Sequence, residues 1–140
     1  MKIRPVLGAT AGLLALLTAV APAASAGGNW DYGTSRTKLS NGYLFTQIKA
    51  DWDYPIEQPD GGVYWKMHEW YEKTGGGTIT AQFGFNYHGY SYNQGWFNQS
   101  AGTTSSADFY GLGFNDCSHV VGWLAVQGQN TFYNAPVTAC

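Results

Sequence analysis

Thr78-Ile-Thr-Ala-Gln-Phe-Gly-Phe-Asn-Tyr-His-Gly-Tyr90 decides the fold class. Ile79, Ala81, Phe83, Phe85 and Tyr87 alternate with Thr80, Gln82, Gly84, Asn86 and His88, the period-two pattern of a strand with one buried face. Tyr43 to Asp53 behaves the same way. Leu44, Thr46, Ile48, Ala50 and Trp52 share one face, and the other is half aromatic and half polar (Tyr43, Phe45, Gln47, Lys49, Asp51, Asp53). Within Ser118 to Gln127, Val120, Val121, Trp123, Leu124, Ala125 and Val126 are apolar on both faces, as a central strand requires.

Turn chemistry separates these runs. Ser40-Asn41-Gly42, Pro59-Asp60-Gly61-Gly62 and Thr74-Gly75-Gly76-Gly77 are chain reversals, because glycine accepts positive φ and proline presets it negative. Between the last two lies Val63 to Lys73. As a helix it would gather Val63, Met67, Trp70 and Tyr71. Its density of aromatics favours a strand, alternating Val63, Trp65, Met67, Glu69 and Tyr71 against Tyr64, Lys66, His68, Trp70 and Glu72. Ala107 to Phe114 is a further strand, loosened by Gly111 and Gly113. Ser100 to Ser106 has nothing to bury and reads as a loop, and Gly27 to Ser40 reads as a mobile, glycine-punctuated stretch. Several short strands with glycine turns predict an all-β fold, a small single-domain β-sandwich or barrel.

The start of the chain predicts export. Lys2 and Arg4 precede an apolar run from Val6 to Ala21, and Ala24-Ser25-Ala26 offers the small-x-small pattern of a cleavage site. Residues 1–26 are therefore expected to be a secretory signal peptide, 27–40 an N-terminal arm and 41–140 a β-domain, secreted without a membrane anchor. Export agrees with two cysteines, Cys117 and Cys140, which an oxidising compartment would join. Closing that loop is worth roughly 3 kcal/mol. A zinc site lacks both a CxxC and a histidine cluster, since His68, His88 and His119 are scattered. No cofactor is implied.

Beyond the signal, the basic residues are Arg36, Lys38, Lys49, Lys66 and Lys73, set against nine acidic ones. That balance argues against nucleic acid, whose binding depends on neutralising phosphates, and against an anionic membrane surface. The chain holds 6 Trp, 10 Tyr and 7 Phe, all from Trp30 onward, more than a small core takes up. Tyr87, Tyr90, Tyr92, Trp96 and Phe97 form the densest stretch, with Asn86, Asn93, Gln94, Asn98 and Gln99 interleaved. Such a surface suits a glycan, whose apolar faces stack on rings, or a protein partner. Trp30 and Tyr32 in the arm either pack on their own sheet or dock elsewhere.

Catalytic signals are thin. Asp51 with Asp53, or Glu69 with Glu72, are the carboxyl pairs a glycosidase would need. The first pair shares a strand face, the second does not, and acids near strand ends are ordinarily solvated. Ser118 beside Cys117 and His119 lacks a nucleophile-elbow motif. His68 and His88 are expected to face water. A non-enzymatic binding role follows.

Two resemblances sharpen it. Gly27-Gly28-Asn29-Trp30-Asp31-Tyr32-Gly33 resembles the opening of the lactococcin 972 family of bacteriocins, small β-sandwich proteins that interfere with cell-wall synthesis. Gly113-Phe114-Asn115-Asp116-Cys117-Ser118, then Val121-Gly122-Trp123-Leu124-Ala125-Val126, Gly128-Gln129 and Cys140, resembles the linker subunit of actinobacterial umbrella toxin particles. The second resemblance implies an adaptor in an extracellular antibacterial complex, joining a lectin-bearing subunit to a stalk that carries a toxin domain. It also implies that Gly27 to Gly33 enters a cleft of the first partner. A free-standing bacteriocin and a carbohydrate-binding module are the alternative functions.

Overall fold

A computed structural model describes residues 25–27, 33–51, 64–114 and 116–139. Within them the chain forms ten strands, with no helix among the described residues. They are β1 (Ser25–Gly27), β2 (Thr34–Leu39), β3 (Gly42–Ala50), β4 (Trp65–Lys73) and β5 (Ile79–Tyr87), followed by β6 (Tyr90–Asn93), β7 (Phe97–Gln99), β8 (Thr103–Leu112), β9 (Val121–Val126) and β10 (Phe132–Tyr133). Two antiparallel sheets result. One runs β1-β2-β3-β4-β8; the other runs β10-β9-β5-β6, with β7 also pairing β5.

The alternating strands face each other across the sandwich. Leu44 and Ile48 of β3, with Trp65, Met67 and Tyr71 of β4, point inward against Ala81, Phe83 and Phe85 of β5 and Leu124 and Val126 of β9, all buried. Truncating a core phenylalanine such as Phe83 would cost about 3–5 kcal/mol, from lost transfer energy and the cavity left behind. The helical alternative for Val63 to Lys73 is excluded: β4 pairs residue by residue with β3, from Gly42↔Lys73 to Ala50↔Trp65.

The apolar core is divided. One cluster gathers around Ile48, Met67, Phe85 and Val120, the other around Leu44, Tyr71, Phe83 and Leu124. Between them, at one level on three strands, sit Thr46, Glu69 and Gly122. Thr46 pairs with Ser35 on one side and Glu69 on the other. Asn134 donates from Nδ2 to Thr46 Oγ1 at 2.6 Å. A Cβ on Gly122 would collide with Thr46 Oγ1 and Glu69 Oε1, so glycine is what lets β9 close on this polar row.

Three expectations need correction. Thr103 to Ser106, read as loop, is the first half of β8. Its polar residues stay exposed while the backbone pairs with β4, from Thr103↔Lys73 to Ser106↔Trp70. An edge strand needs a main-chain partner, not an apolar face. Thr34 to Leu39, read as part of a mobile stretch, is β2, paired along its length with β3. The strand read as ending at Tyr90 stops at Tyr87. His88 and Gly89, with φ of 50° and 77°, make the two-residue turn into β6, the mirror-image type that matches strand twist.

The arm Gly27 to Gly33 is described only at its ends. Gly27 pairs with Thr34, and the Gly33 carbonyl accepts from Ile48 N–H at 3.0 Å. Gly28, Asn29, Trp30, Asp31 and Tyr32 lie outside the described residues, as do Trp52, Asp53, the turn at Pro59 to Gly62, and Cys140.

Candidate functional site

The expected aromatic stretch divides into core and surface. Phe97 stacks on Phe83 at 4.9 Å. Tyr87 packs on Phe114 at 4.6 Å and donates its hydroxyl to Asp116 at 3.2 Å. These two are structural. Tyr90, Tyr92 and Trp96 are exposed, Tyr90 to 69%. They lie along β6, the edge of the second sheet, and the link from it to β7. The Tyr92 ring stacks on Phe85 at 4.8 Å, and Phe85 meets Phe109 of β8 edge-on at 5.0 Å. Gln94 Nε2 donates to the Asp108 carbonyl on the same strand. The open edges of both sheets thus meet along one side of the sandwich, and the exposed rings of Tyr90, Tyr92 and Trp96 stand there.

Outward-facing residues of β5, β6, β9 and β10 build a second feature. Gly84 lies opposite Trp123, and a Cβ there would run into the indole, so the ring lies across the strand surface. Trp123 Nε1 donates to Asn86 Oδ1 at 3.1 Å. The amides continue along the sheet: Gln82 Nε2 donates to Asn93 Oδ1 at 3.1 Å, and Thr80 Oγ1 to Asn98 Oδ1 at 2.8 Å. Asn86, Ser91, Trp123, Ala125, Thr131 and Tyr133 line an open groove of about 400 Å³. Gln99, grouped with these amides in the sequence, is buried instead, and donates to the Tyr71 and Thr103 carbonyls at 2.9 and 2.8 Å. Trp123 is buried, 7% exposed, as a strand apolar on both faces requires, and only the edge of its ring reaches the groove beside Gly84.

The outer face of the first sheet carries a half-buried band. Phe45 and Trp70 stack at 4.5 Å with planes 3° apart, and the Arg36 guanidinium sits 4.9 Å above the Tyr43 ring. His68, expected to face water, is instead held by Asp108, Nδ1 to Oδ1 at 2.7 Å. Nearby, the charge of Asp108 raises the Tyr110 hydroxyl above its ordinary pKa, with its hydrogen bond to that carboxylate adding to the effect.

Acidic residues depart most from expectation. Glu69 and Asp51 are buried, Glu69 completely. Desolvation pushes the Glu69 carboxyl well above the usual range, and the Gly84 N–H offsets only part of that. Neither Glu69 oxygen has a hydrogen bond of ordinary geometry. Glu72 faces outward, so the two do not form a pair. Asp51 donates its backbone N–H to the Tyr64 carbonyl at 2.7 Å, and Asp53 lies outside the described residues.

Ser118 meets His88, not the adjacent His119. His88 Nε2 lies 2.8 Å from Ser118 Oγ and 3.0 Å from Asp116 Oδ2. A relay needs serine and carboxylate on opposite ring nitrogens. Here both sit on the same one, so the cluster acts as a tether between the β5–β6 turn and the 116–118 loop. The Ser118 hydroxyl and backbone N–H hold the Asp116 carboxyl below its ordinary pKa, helped by His88. Among the described residues no group of three or more His, Cys, Asp or Glu is placed to hold a metal ion, and no helix is long and apolar enough to cross a membrane.

No protein-family model matches this chain, and neither a curated protein nor a solved structure matches it.

Proposed function

We propose that this chain is a non-catalytic, secreted protein–protein adaptor of an extracellular antibacterial toxin complex. The observation that carries the reading is the rim of Tyr90, Tyr92 and Trp96. Large amphipathic rings with few rotatable bonds, standing exposed at a sheet edge, are the residue types that anchor protein interfaces. The rim is the surface for the stalk-bearing partner. The arm Gly27 to Gly33 is the element that enters the lectin-bearing partner, as the resemblance implies.

Signal cleavage would favour release of the arm. β1 pairs with β2 through Ser25↔Arg36, Ala26↔Ser35 and Gly27↔Thr34. A cut after Ala26 removes the first two pairs, and the mature chain keeps only the third. The arm that carries Trp30 and Tyr32 is the docking segment. In extended form it binds through main-chain hydrogen bonds, with its side chains supplying specificity.

The Cys117–Cys140 bridge belongs to the same proposal, and the nearby pairing of Val120 with Val137 is in keeping with it. Val120 and Val137 exchange both main-chain hydrogen bonds, at 2.8 and 2.9 Å. Three residues outward from that pair are Cys117 and Cys140.

The test uses the mature chain, a copy lacking Gly27 to Gly33, and a Tyr90→Ser, Trp96→Ser double variant, each returned to the strain that encodes it. Each change should remove a different secreted partner from the purified complex while the domain still melts cooperatively. Unfolding of the truncated copy would mean that the arm belongs to its own sheet, and the docking mechanism would be wrong.

A further inference from the structure

We propose that the groove on the outer face of the second sheet is a saccharide site that takes a neutral sugar within a glycan chain. The proposal does not rest on the protein contacts above, because the groove and the rim use different residues. The Trp123 indole packs over Gly84, which has no side chain, and at 7% exposure presents only a strip of its edge at the base of the groove. Tyr133, 54% exposed, pairs with Trp123 across the β9–β10 register and forms the wall. A pyranose presents an apolar face of C–H groups and a periphery of hydroxyls. The exposed Tyr133 ring meets the first, and short neutral polar side chains meet the second.

Those side chains are in place. Asn86 uses its amide oxygen to accept from the Trp123 N–H, which fixes the amide and leaves its NH₂ group to donate to a ligand. Ser91 and Thr131 add hydroxyls that donate and accept. None of the lining side chains is charged, so nothing in the groove compensates a phosphate, a carboxylate or an ammonium group, and an ionic ligand would lose hydration for no return. A volume of about 400 Å³ falls within the usual range of ligand sites. The groove opens to solvent, so a chain can continue beyond it past Gln82, Asn93 and Asn98.

The experiment is calorimetric titration of the mature chain with cellohexaose, xylohexaose, mannohexaose and chitohexaose, with hexagalacturonate as the anionic comparator. Tyr133→Ala removes the wall, Ala125→Arg blocks the groove from an outward position, and Tyr90→Ala alters the rim alone. Expected is binding of at least one neutral hexasaccharide and none of hexagalacturonate. Tyr133→Ala should weaken binding about tenfold or more, Ala125→Arg should abolish it, and Tyr90→Ala should leave it unchanged. The proposal is overturned if no neutral hexasaccharide binds at millimolar concentration, or if binding survives both groove variants. Loss of binding in Tyr90→Ala with retention in Tyr133→Ala would also overturn it, by moving sugar recognition to the rim.

Discussion

Glu69 should make the folded domain lose stability as pH rises, and Glu69→Gln should remove that loss. The carboxyl is fully buried in the polar row between the two apolar clusters. The groups packed on it, Thr46, Gly84 and Gly122, carry no charge. Desolvation therefore raises its folded pKa well above the reference value of 4.5. For an acid with a raised folded pKa, the folded state binds the proton more tightly than the unfolded chain does. The stabilisation is complete below the unfolded pKa and is lost as pH climbs toward the folded one. One proton gives a slope of about 1.4 kcal/mol per pH unit in that window. Glutamine keeps the shape and cannot ionise; any cost of burying its amide is constant with pH. Urea unfolding of both proteins, followed by intrinsic fluorescence at steps from about pH 5 to about pH 8, reads the difference in slope. Wild type should lose ground to the variant steadily as pH rises. Parallel curves across the window would show that Glu69 is ionised and compensated in the fold, and would refute the desolvation argument.

Gly122→Ala should destabilise the domain by about 1–3 kcal/mol, because its methyl group meets Thr46 and Glu69 with no room to turn aside; a denaturation midpoint at the wild-type value would contradict that packing. Reducing the proposed Cys117–Cys140 bridge should cost roughly 3 kcal/mol, and two free thiols in protein that was never reduced, counted by mass after alkylation, would remove the proposal of a bridge. Asp116, held below its ordinary pKa of 3.8 chiefly by Ser118, contributes stability above that value and loses it as pH falls through its folded pKa. Asp116→Asn should accordingly lower the melting temperature at neutral pH and have little effect in strong acid. An equal drop at both would deny the tether.

Much of the sandwich was legible because its central strands alternate. Ile79 to Tyr87, Leu44 to Ile48 and Trp65 to Tyr71 each have one apolar face, and each buries it. β2 and the first half of β8 were not legible. Thr34 to Leu39 and Thr103 to Ser106 are polar, and a strand held by main-chain pairing leaves little side-chain pattern to read. Glu69 alternates onto one face with Trp65, Met67 and Tyr71, yet it reads as solvated because acids near strand ends ordinarily are. The pattern was the better guide, and neutralising the acid is what burial requires. Within the aromatic stretch Tyr90, Tyr92 and Trp96 are exposed, and composition could not separate them from Phe97, whose ring fills the space beside Phe83. The groove was hidden because its base and wall, Trp123 and Tyr133, lie far along the chain from Asn86 and meet it only through the β5–β9–β10 register.

Affinity purification of a C-terminally tagged copy from the culture fluid of the strain that encodes it, with mass spectrometry and native mass determination, tests the adaptor role most directly. An adaptor brings larger secreted proteins with it in fixed ratio, and the Tyr90→Ser, Trp96→Ser variant, melting like wild type, loses at least one of them. A lone monomer at the mature mass, or a complex unchanged by the rim variant and by deletion of Gly27 to Gly33, would contradict it.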